Sequence, residues 1–306
     1  MSLTIENNIL MKNGKPFFYL ADTCWSAFTN IKDNDWDYYL DYRKSQGFNT
    51  LQINILPQWD ASATDLCYEP FEVIDGKYNY KKLNLSYFEH ADKMCARAKE
   101  KGFELALVIM WCNFVPDTWA SQFYSKGIMP IDCIDNYINI IHETFTKYEP
   151  LYIISGDTDF NTEQCIEYYV KCAKQIKELA PNCLYTTHIK GRYTYIPDNL
   201  YSYLDLCFYQ SGHNAQNLGM PYLLAEEMAD KYKGKPIINS EPCYEDMGYS
   251  RQMYGRWSKE DIIRAAWMSL LSGASAGITY GAAGIYSWHT TNKGFESFVG
   301  RRICDS

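Results

Sequence analysis

The stretch Leu151-Tyr-Ile-Ile-Ser-Gly-Asp157 is a short apolar run that stops abruptly at a carboxylate. Pro236-Ile-Ile-Asn-Ser-Glu241 repeats this pattern further along the chain. Counted in order, the two runs are the fourth and the seventh of eight such segments. Eight short apolar runs that alternate with helical patterns predict the parallel strands of an eight-stranded α/β barrel.

The eight predicted strands alternate with amphipathic segments along almost the whole chain. Near-continuous apolar strands are typical of a parallel sheet that helices cover on both faces. The alternative is an open doubly wound sheet, which usually has a Gly-rich phosphate loop after its first strand, but this chain has Asp22-Thr-Cys-Trp25 there. The strands are predicted at 17–22, 49–56, 104–110, 151–155, 183–187, 204–209, 236–241 and 277–280, and the helices at 33–46, 85–101, 134–147, 162–180, 221–232 and 259–271.

The N-terminal residues 1–16 precede the alternation and predict a β-hairpin. Asn13-Gly14 is a strong two-residue turn signal between two apolar segments. We expect this hairpin to cap the bottom of the barrel. The 306 residues contain no linker or low-complexity stretch, and barrels of about 250 residues form single domains. The sequence therefore predicts one (β/α)8 TIM-barrel domain over residues 1–306, with residues 1–16 as its hairpin.

Composition and charge exclude several classes of partner. The formal net charge is −8, and no basic stripe is present, which argues against nucleic acid because phosphate binding needs clustered Lys and Arg. No apolar window reaches the length of a membrane span, and no N-terminal segment resembles a signal peptide. We therefore expect a cytoplasmic protein, although removal of a leader would allow a secreted or periplasmic one. The oligomeric state is not predicted.

The eleven cysteines show no even framework and no Cys-x-x-Cys motif. Most of them fall inside predicted helices or strands, which is typical of reduced, buried thiols. A zinc site needs closely spaced ligands, and the sequence has none. We predict no metal and no organic cofactor.

Two carboxylates at strand ends are the candidate catalytic residues, because cleavage of a glycosidic bond needs one group to protonate the leaving oxygen and one to attack or to activate water. Glu241 is the candidate nucleophile, since it ends the seventh strand before Pro242. The alternative is a solvated Glu in a strand–helix loop. Glu245 lies further into this loop and is the weaker candidate.

Asp157 is the candidate acid/base. That role needs a pKa raised toward the working pH, by burial or by the neighbouring carboxylate. The alternative is a turn residue after Gly156 or a helix N-cap. Asp159 and Asn161 lie nearer the helix start and suit capping better, which leaves Asp157 for chemistry.

Polar and aromatic residues follow the other predicted strands, and the strand ends of a barrel converge on one mouth. Aromatic rings stack on the apolar face of a sugar, and polar groups bind its hydroxyls. For each Trp the alternative is core packing, for each His a structural hydrogen bond, and for Asp22 a cap on the first loop. The candidate substrate-binding residues are Asp22, Trp25, Asn54, Trp59, Trp111, His188, Tyr209, His213, Tyr280 and Trp288.

Six segments, in this order, carry a resemblance to a known family: Phe18-Tyr-Leu-Ala-Asp-Thr-Cys-Trp25, Gly47-Phe-Asn49, Ile154-Ser-Gly-Asp157, Tyr209-Gln-Ser-Gly-His213, Ser240-Glu-Pro-Cys-Tyr-Glu245 and Ile278-Thr-Tyr-Gly281. The chain resembles the apiosidase-like glycoside hydrolases, a (β/α)8 family within the clan of retaining barrel glycosidases. The resemblance implies an acid/base on strand four, which is Asp157, and a nucleophile on strand seven, which is Glu241. Most of the wider clan has Asn-Glu where this chain has Gly156-Asp157, and many relatives carry a β-sandwich domain after the barrel.

These observations predict a glycosidase that cleaves a plant- or glycan-derived carbohydrate by a retaining double displacement. One alternative is a non-catalytic carbohydrate-binding barrel, which would keep the aromatic mouth without a close carboxylate pair. The other is a metal-dependent barrel hydrolase or isomerase, although no strand carries a His-x-His pair. Its possible ligands would be Asp22, Asp157, His188, His213 and Glu241.

Overall fold

The computed structural model describes residues 3–59, 64, 66, 68–251 and 253–290. It begins with an antiparallel sheet of β1 (Leu3–Glu6), β2 (Ile9–Lys12) and β3 (Lys15–Pro16). The predicted hairpin is confirmed, because Asn13 and Gly14 join β2 to β3 with φ of 55° and 70°. The strand β1 extends it through Asn7-Asn8, whose φ values of 49° and 64° also fit a tight hairpin turn.

Ten later strands follow, of which eight form one parallel sheet and two form a separate antiparallel hairpin. The helices between the parallel strands cover the outer face of their sheet. The strands of the parallel sheet are β4 (Tyr19–Thr23), β5 (Thr50–Asn54), β8 (Glu104–Trp111), β9 (Leu151–Gly156), β10 (Leu184–Thr186), β11 (Cys207–Tyr209), β12 (Ile237–Asn239) and β13 (Gly277–Tyr280), and their order in the sheet is β10-β9-β8-β5-β4-β13-β12-β11. The hairpin consists of β6 (Phe71–Ile74) and β7 (Lys77–Leu83). The helices are α1 (Ala27–Asn30), α2 (Asp33–Ser45), α3 (Leu85–Glu100), α4 (Ile134–Phe145), α5 (Glu163–Leu179), α6 (Asp198–Tyr201), α7 (Met220–Lys231) and α8 (Lys259–Leu271), with 3₁₀ turns at Cys112–Phe114, Ser121–Phe123, Ile131–Cys133 and Thr146–Tyr148.

The sheet nearly closes on itself between its end strands β10 and β11. The backbone N–H of Asp205 donates to the carbonyl of Tyr185 at 2.8 Å, and the Asp205 carboxylate accepts the N–H of Tyr185 at 2.9 Å. The predicted (β/α)8 barrel is therefore confirmed. Its closure places all eight strand ends around one mouth.

The barrel interior contains a polar core below the seventh strand end. The side chain of Gln52 accepts hydrogen bonds from the hydroxyls of Tyr19 and Thr279 at 3.0 and 3.1 Å. Its amide nitrogen donates to the carbonyl of Ser240 at 3.0 Å. Gln52 thus fixes the backbone one residue before Glu241.

One local prediction was wrong, and some elements were not predicted. The predicted capping role of Asp159 and Asn161 belongs to Thr162, whose hydroxyl accepts the N–H of Cys165 at 3.2 Å. Three features had no prediction, namely the four-residue helices α1 and α6 and the antiparallel hairpin of β6 and β7. The turn of this hairpin is Asp75-Gly76, with positive φ at both residues, which is the kind of signal that identified the N-terminal hairpin.

The prediction of buried thiols is confirmed for the cysteines that the structure describes. Nine cysteines lie in the described part of the chain, all are buried, and none of them forms a disulfide. Within the same part, no helix combines the length and apolar character that crossing a membrane requires. The sequence also predicts a short last helix that ends at residues 301–306, and this prediction falls outside the described residues.

Candidate active site

Glu241 follows β12 at the barrel mouth, and two histidines hold its carboxylate. His213 Nε2 lies 2.8 Å from Glu241 Oε1, and His188 Nε2 lies 3.2 Å from Glu241 Oε2. His188 follows β10 and His213 follows β11, so three neighbouring strands supply the group. Each carboxylate oxygen therefore receives its own imidazole N–H.

These hydrogen bonds decide the charge of Glu241. Burial alone would raise the pKa of the Glu241 carboxyl, but the hydrogen bonds and charges of His188 and His213 outweigh burial and lower this pKa to about 2. Glu241 is therefore an ionised carboxylate at any ordinary working pH.

A tyrosine and a tryptophan complete the surroundings of Glu241. The indole N–H of Trp25 donates to the hydroxyl of Tyr244 at 3.0 Å, so the hydroxyl proton of Tyr244 can turn toward Glu241. Burial and the charge of Glu241 raise the pKa of Tyr244 well above its ordinary value. Tyr244 thus remains a neutral hydrogen-bond donor beside the carboxylate.

Asp157 follows β9 and has a φ of 49°, in the left-handed region that few non-glycine residues occupy. The indole N–H of Trp119 donates to its backbone carbonyl at 2.7 Å, which holds this conformation. The side-chain amide of Gln210 donates to Asp157 Oδ1 at 2.6 Å. Backbone strain of this kind often marks functional sites.

Gln210 joins the two carboxylates into one network. Its amide nitrogen lies 2.6 Å from Asp157 Oδ1 and 3.5 Å from His188 Nε2. His188 in turn contacts Glu241, and its Nδ1 lies 2.9 Å from the hydroxyl of Ser240, which orients the ring. Asp157 and Glu241 therefore face the same part of the mouth.

Aromatic rings form a wall beside this network. The ring centroids of Trp25 and Trp111 lie 5.2 Å apart, and both rings lie within 5.6 Å of the imidazole of His188. Next to Asp157, Trp59 meets Trp119 edge to face with centroids 5.3 Å apart, and Phe123 extends this second group at 6.1 Å. Both aromatic groups can stack against the face of a sugar ring.

The structure brings the sequence-predicted residues Trp25, Trp111, His188 and His213 together with Asp157 and Glu241. Two further predicted residues, Asn54 and Trp59, lie next to this group. The backbone N–H of Asn54 donates to the carbonyl of Trp25 at 3.1 Å, and Trp59 reaches Asp157 through Trp119.

The remaining four predicted residues lie elsewhere, and on the strands themselves the side chains of Asp22 and Tyr209 point toward the helix layer. Asp22 is fully buried, where it accepts hydrogen bonds from Tyr39 at 2.6 Å and from Arg43 at 2.5 Å. Tyr209 donates to the carbonyl of Pro221 at the start of α7.

Tyr280 and Trp288 line a separate cleft of about 560 Å³ against α2. The hydroxyl of Tyr280 donates to Glu245 at 2.7 Å in this cleft, and Trp288 packs edge to face on Tyr39. Glu245, the weaker nucleophile candidate, therefore does not share the site of Glu241.

Sequence reasoning did not select three residues of the site, namely Gln210, Tyr244 and Trp119. Gln210 and Tyr244 lie inside the segments 209–213 and 240–245 that carry the family resemblance, so their position was the available signal. Trp119 lies in the long loop after β8, which no strand-end argument reaches.

The donor set does not fit a metal ion. His188 and His213 direct their Nε2 atoms at the oxygens of Glu241, while Asp22 is buried against Arg43 outside the network. Across the residues that the structure describes, no three His, Cys, Asp or Glu side chains form a group that could hold a metal.

Solved structures share this barrel. A glycoside hydrolase family 5 protein from Bacteroides vulgatus ATCC 8482 is 24% identical with a TM-score of 0.80, covering 97% of this chain and 65% of its own length. A second glycoside hydrolase, also 24% identical, has a TM-score of 0.82 and coverages of 99% and 70%. An endo-1,4-β-D-mannanase from Thermotoga petrophila RKU-1 is 16% identical with a TM-score of 0.59 and coverages of 94% and 95%.

These likenesses establish the fold, and the chain spans 65% of the length of the first of these proteins. No curated protein sequence matches the chain. The profile of the apiosidase-like catalytic domain matches residues 5–301, which is nearly the whole chain. The chain therefore belongs to the apiosidase-like family.

Proposed function

We propose that this chain is a glycosidase in which Glu241 is the nucleophile and Asp157 the acid/base. The observation that carries the proposal is the pair of imidazoles on Glu241, in one hydrogen-bonded network with Asp157. A pKa of about 2 leaves Glu241 without a proton to give near neutral pH. Asp157 is then the carboxyl group left to protonate the leaving oxygen.

The reaction proceeds in two displacements. In the first, Asp157 gives its proton to the glycosidic oxygen while a carboxylate oxygen of Glu241 attacks the anomeric carbon. The bond from this carbon to the leaving oxygen breaks as the bond to Glu241 forms. In the second, Asp157 takes a proton from water, whose oxygen attacks the same carbon and releases Glu241. Two displacements at one carbon retain its configuration.

The two imidazoles make Glu241 a suitable leaving group in the second step. His188 and His213 donate N–H groups to the carboxylate, and these hydrogen bonds strengthen as negative charge returns to it. Tyr244 adds a neutral donor beside the same group. The same contacts orient the carboxylate before attack, which removes a conformational cost from the first step.

Buried polar atoms that have no partner among the described residues suit a carbohydrate substrate. A buried polar atom without a hydrogen bond costs about 1–3 kcal/mol, and sugar hydroxyls both donate and accept. Those that belong to residues of this site are Asn54 Oδ1, Trp111 Nε1 and His213 Nδ1. With the two aromatic groups, they support a carbohydrate as the substrate, and its plant or glycan origin stays a prediction.

The test is hydrolysis of a panel of aryl glycosides, including apiosides and β-mannosides, by the wild type and three variants. We expect Glu241→Gln and Asp157→Asn to lose at least about 10³-fold in kcat/KM, since each removes an essential group. Glu245→Gln is the matched control, because Glu245 lies in the separate cleft against α2. Circular dichroism establishes that each variant folds.

A folded Glu241→Gln variant with full activity would contradict the proposal. Binding of sugars by calorimetry, without turnover of any glycoside by the wild type, would favour the non-catalytic binding barrel instead. Proton NMR of the first product anomer tests the stereochemistry, because retention requires two displacements and inversion requires one.

A further inference from the structure

We infer that Gln210 is a positioning residue that determines which oxygen of Asp157 carries the transferable proton. This inference rests on the proposed function, because it concerns how Asp157 acts as the acid/base. Gln210 follows β11 and is almost completely buried. Its side chain crosses from the sixth strand end to the fourth.

The contacts of Gln210 fix the orientation of its amide. Its Nε2 lies 2.6 Å from Asp157 Oδ1 and 2.9 Å from the backbone carbonyl of Ile189. Both neighbours are acceptors, so only the NH₂ end of the amide fits there. The two amide hydrogens are then used, one on Asp157 and one on Ile189.

This arrangement decides where a proton can sit on Asp157. With its proton on Oδ1, Asp157 would offer the Gln210 amide at 2.6 Å a hydroxyl oxygen, which accepts a hydrogen bond less well than the carbonyl oxygen of the same acid. The neutral acid therefore carries its proton on Oδ2. Because a general acid works only when its proton lies in line with the leaving oxygen, Gln210 sets the geometry of the first step.

Gln210 also separates the acid/base from the hydrogen bonds of the nucleophile. Its Nε2 lies 3.5 Å from His188 Nε2, yet it has no hydrogen left to donate to this ring. His188 Nε2 lies 3.2 Å from Glu241 Oε2, so its ring N–H can donate there. The Gln210 amide lies between this imidazole and Asp157, and Asp157 accepts from the amide while Glu241 accepts from the imidazoles.

The backbone around Gln210 holds the amide in place. The carbonyl of Ile189 anchors one hydrogen, and the carbonyl of Gln210 itself accepts the N–H of Arg192 at 2.9 Å. A methyl group on Gly191 would lie 3.3 Å from Gln210 Oε1, so the amide is confined on that side. A methionine at position 210 has a side chain of similar length that can occupy the space of the amide but cannot donate a hydrogen bond to Asp157.

The experiment compares Gln210→Met with the wild type on two substrates of the same sugar. A dinitrophenyl glycoside leaves without protonation, whereas a methyl glycoside needs the acid. We expect kcat/KM for the methyl glycoside to fall about 10- to 100-fold, as expected for one charge-assisted hydrogen bond, and the dinitrophenyl value to change less than about threefold. Gln216→Met, an exposed change in the loop after β11, is the control.

A double-mutant cycle with Asp157→Asn separates this inference from the proposed function. If Gln210 acts through Asp157, adding Gln210→Met to Asp157→Asn produces no further loss on the methyl glycoside. Equal losses on both substrates, or additive losses in the cycle, would overturn the inference. Asp157→Asn with undiminished activity would instead overturn the proposed function.

Discussion

The indole of Trp111 lies directly on the backbone of Gly156. A methyl group added at Gly156 would lie 2.1 Å from Cε3 and 2.6 Å from Cδ2 of this ring, far inside van der Waals contact. Trp111 packs against Trp25 and His188, so the glycine allows the aromatic wall to approach the strand that carries Asp157. The contact explains in physical terms why glycine precedes Asp157 here.

Gly156→Ala should therefore impair both stability and activity. The new methyl group must displace the Trp111 ring or the strand, which we expect to lower the free energy of unfolding by about 1–3 kcal/mol. The displacement also moves the residue before Asp157, so we expect kcat/KM to fall at least about 10²-fold. Urea unfolding and hydrolysis of an aryl glycoside measure the two effects.

The double variant Gly156→Ala/Trp111→Ala is the control for this explanation. Removing the indole removes the clash, so the stability effects of the two changes should be clearly non-additive. Simple additivity would mean that the alanine acts through something other than Trp111.

The ionisation of Glu241 predicts how the protein responds to acid. Its pKa is lowered from 4.5 to about 2 in the folded protein, so its contribution to stability is complete above pH 4.5 and disappears as the pH falls through about 2. The shift corresponds to about 3 kcal/mol. Wild-type stability should fall more steeply than that of Glu241→Gln in this range, as urea unfolding at several pH values would measure.

Loss of one imidazole should raise the pKa of Glu241 and thereby change the pH dependence of catalysis. The groups that face Glu241 are His188, His213 and Tyr244, and His213→Ala removes one of the two N–H donors. We expect the acid limb of kcat/KM to move up by about one pH unit, because the carboxylate then protonates more readily. His142→Ala on α4 serves as the control and should leave the limb in place; an unchanged limb in His213→Ala would refute this explanation of the low pKa.

The polar core of the barrel predicts a large cost for Gln52→Met. The change keeps the side-chain size but leaves the hydroxyls of Tyr19 and Thr279 and the carbonyl of Ser240 without this partner. We expect the free energy of unfolding to fall by about 2–4 kcal/mol. Gln216→Met, at an exposed position in the loop after β11, should change it by less than about 0.5 kcal/mol; comparable losses in both variants would mean that the interior network contributes little.

The aromatic group beside Asp157 should contribute to substrate binding. Trp59→Ala removes the ring that packs on Trp119 and Phe123, and we expect KM for an aryl glycoside to rise about 10-fold while kcat changes little. Trp267→Ala, on the exposed face of α8, is the matched control. A rise in KM of the same size in the control, or none in Trp59→Ala, would exclude this group from the binding site.

Much of the barrel could be predicted because its information is local. A buried parallel strand reads as an apolar run, and Leu151–Gly156 and Gly277–Tyr280 were identified almost to the residue. The β6–β7 hairpin was missed because its residues alternate weakly and its Asp75-Gly76 turn was not weighed. The helix cap at Thr162 depends on one side-chain rotamer, which the sequence does not determine.

The site was less accessible to sequence reasoning because the direction of a side chain follows the register of its strand. Asp22 and Tyr209 lie on strands whose ends reach the mouth, yet both side chains point to the helix layer, where Arg43 and Pro221 receive them. A shift of one residue reverses this direction. Gln210 lies among the polar residues at the sixth strand end, but it was not selected because its role depends on contacts between strand ends far apart in sequence.

The most direct test of the central proposal is mass spectrometry of the protein after reaction with a 2-deoxy-2-fluoro glycosyl fluoride. The fluorine slows both displacements, while the reactive leaving group lets the first proceed, so a retaining enzyme accumulates its glycosyl intermediate. We predict one added glycosyl group, located after proteolysis on the peptide that contains Glu241. A label on another carboxylate, or turnover of a glycoside to the inverted anomer without any label, would contradict the assignment of Glu241 as the nucleophile.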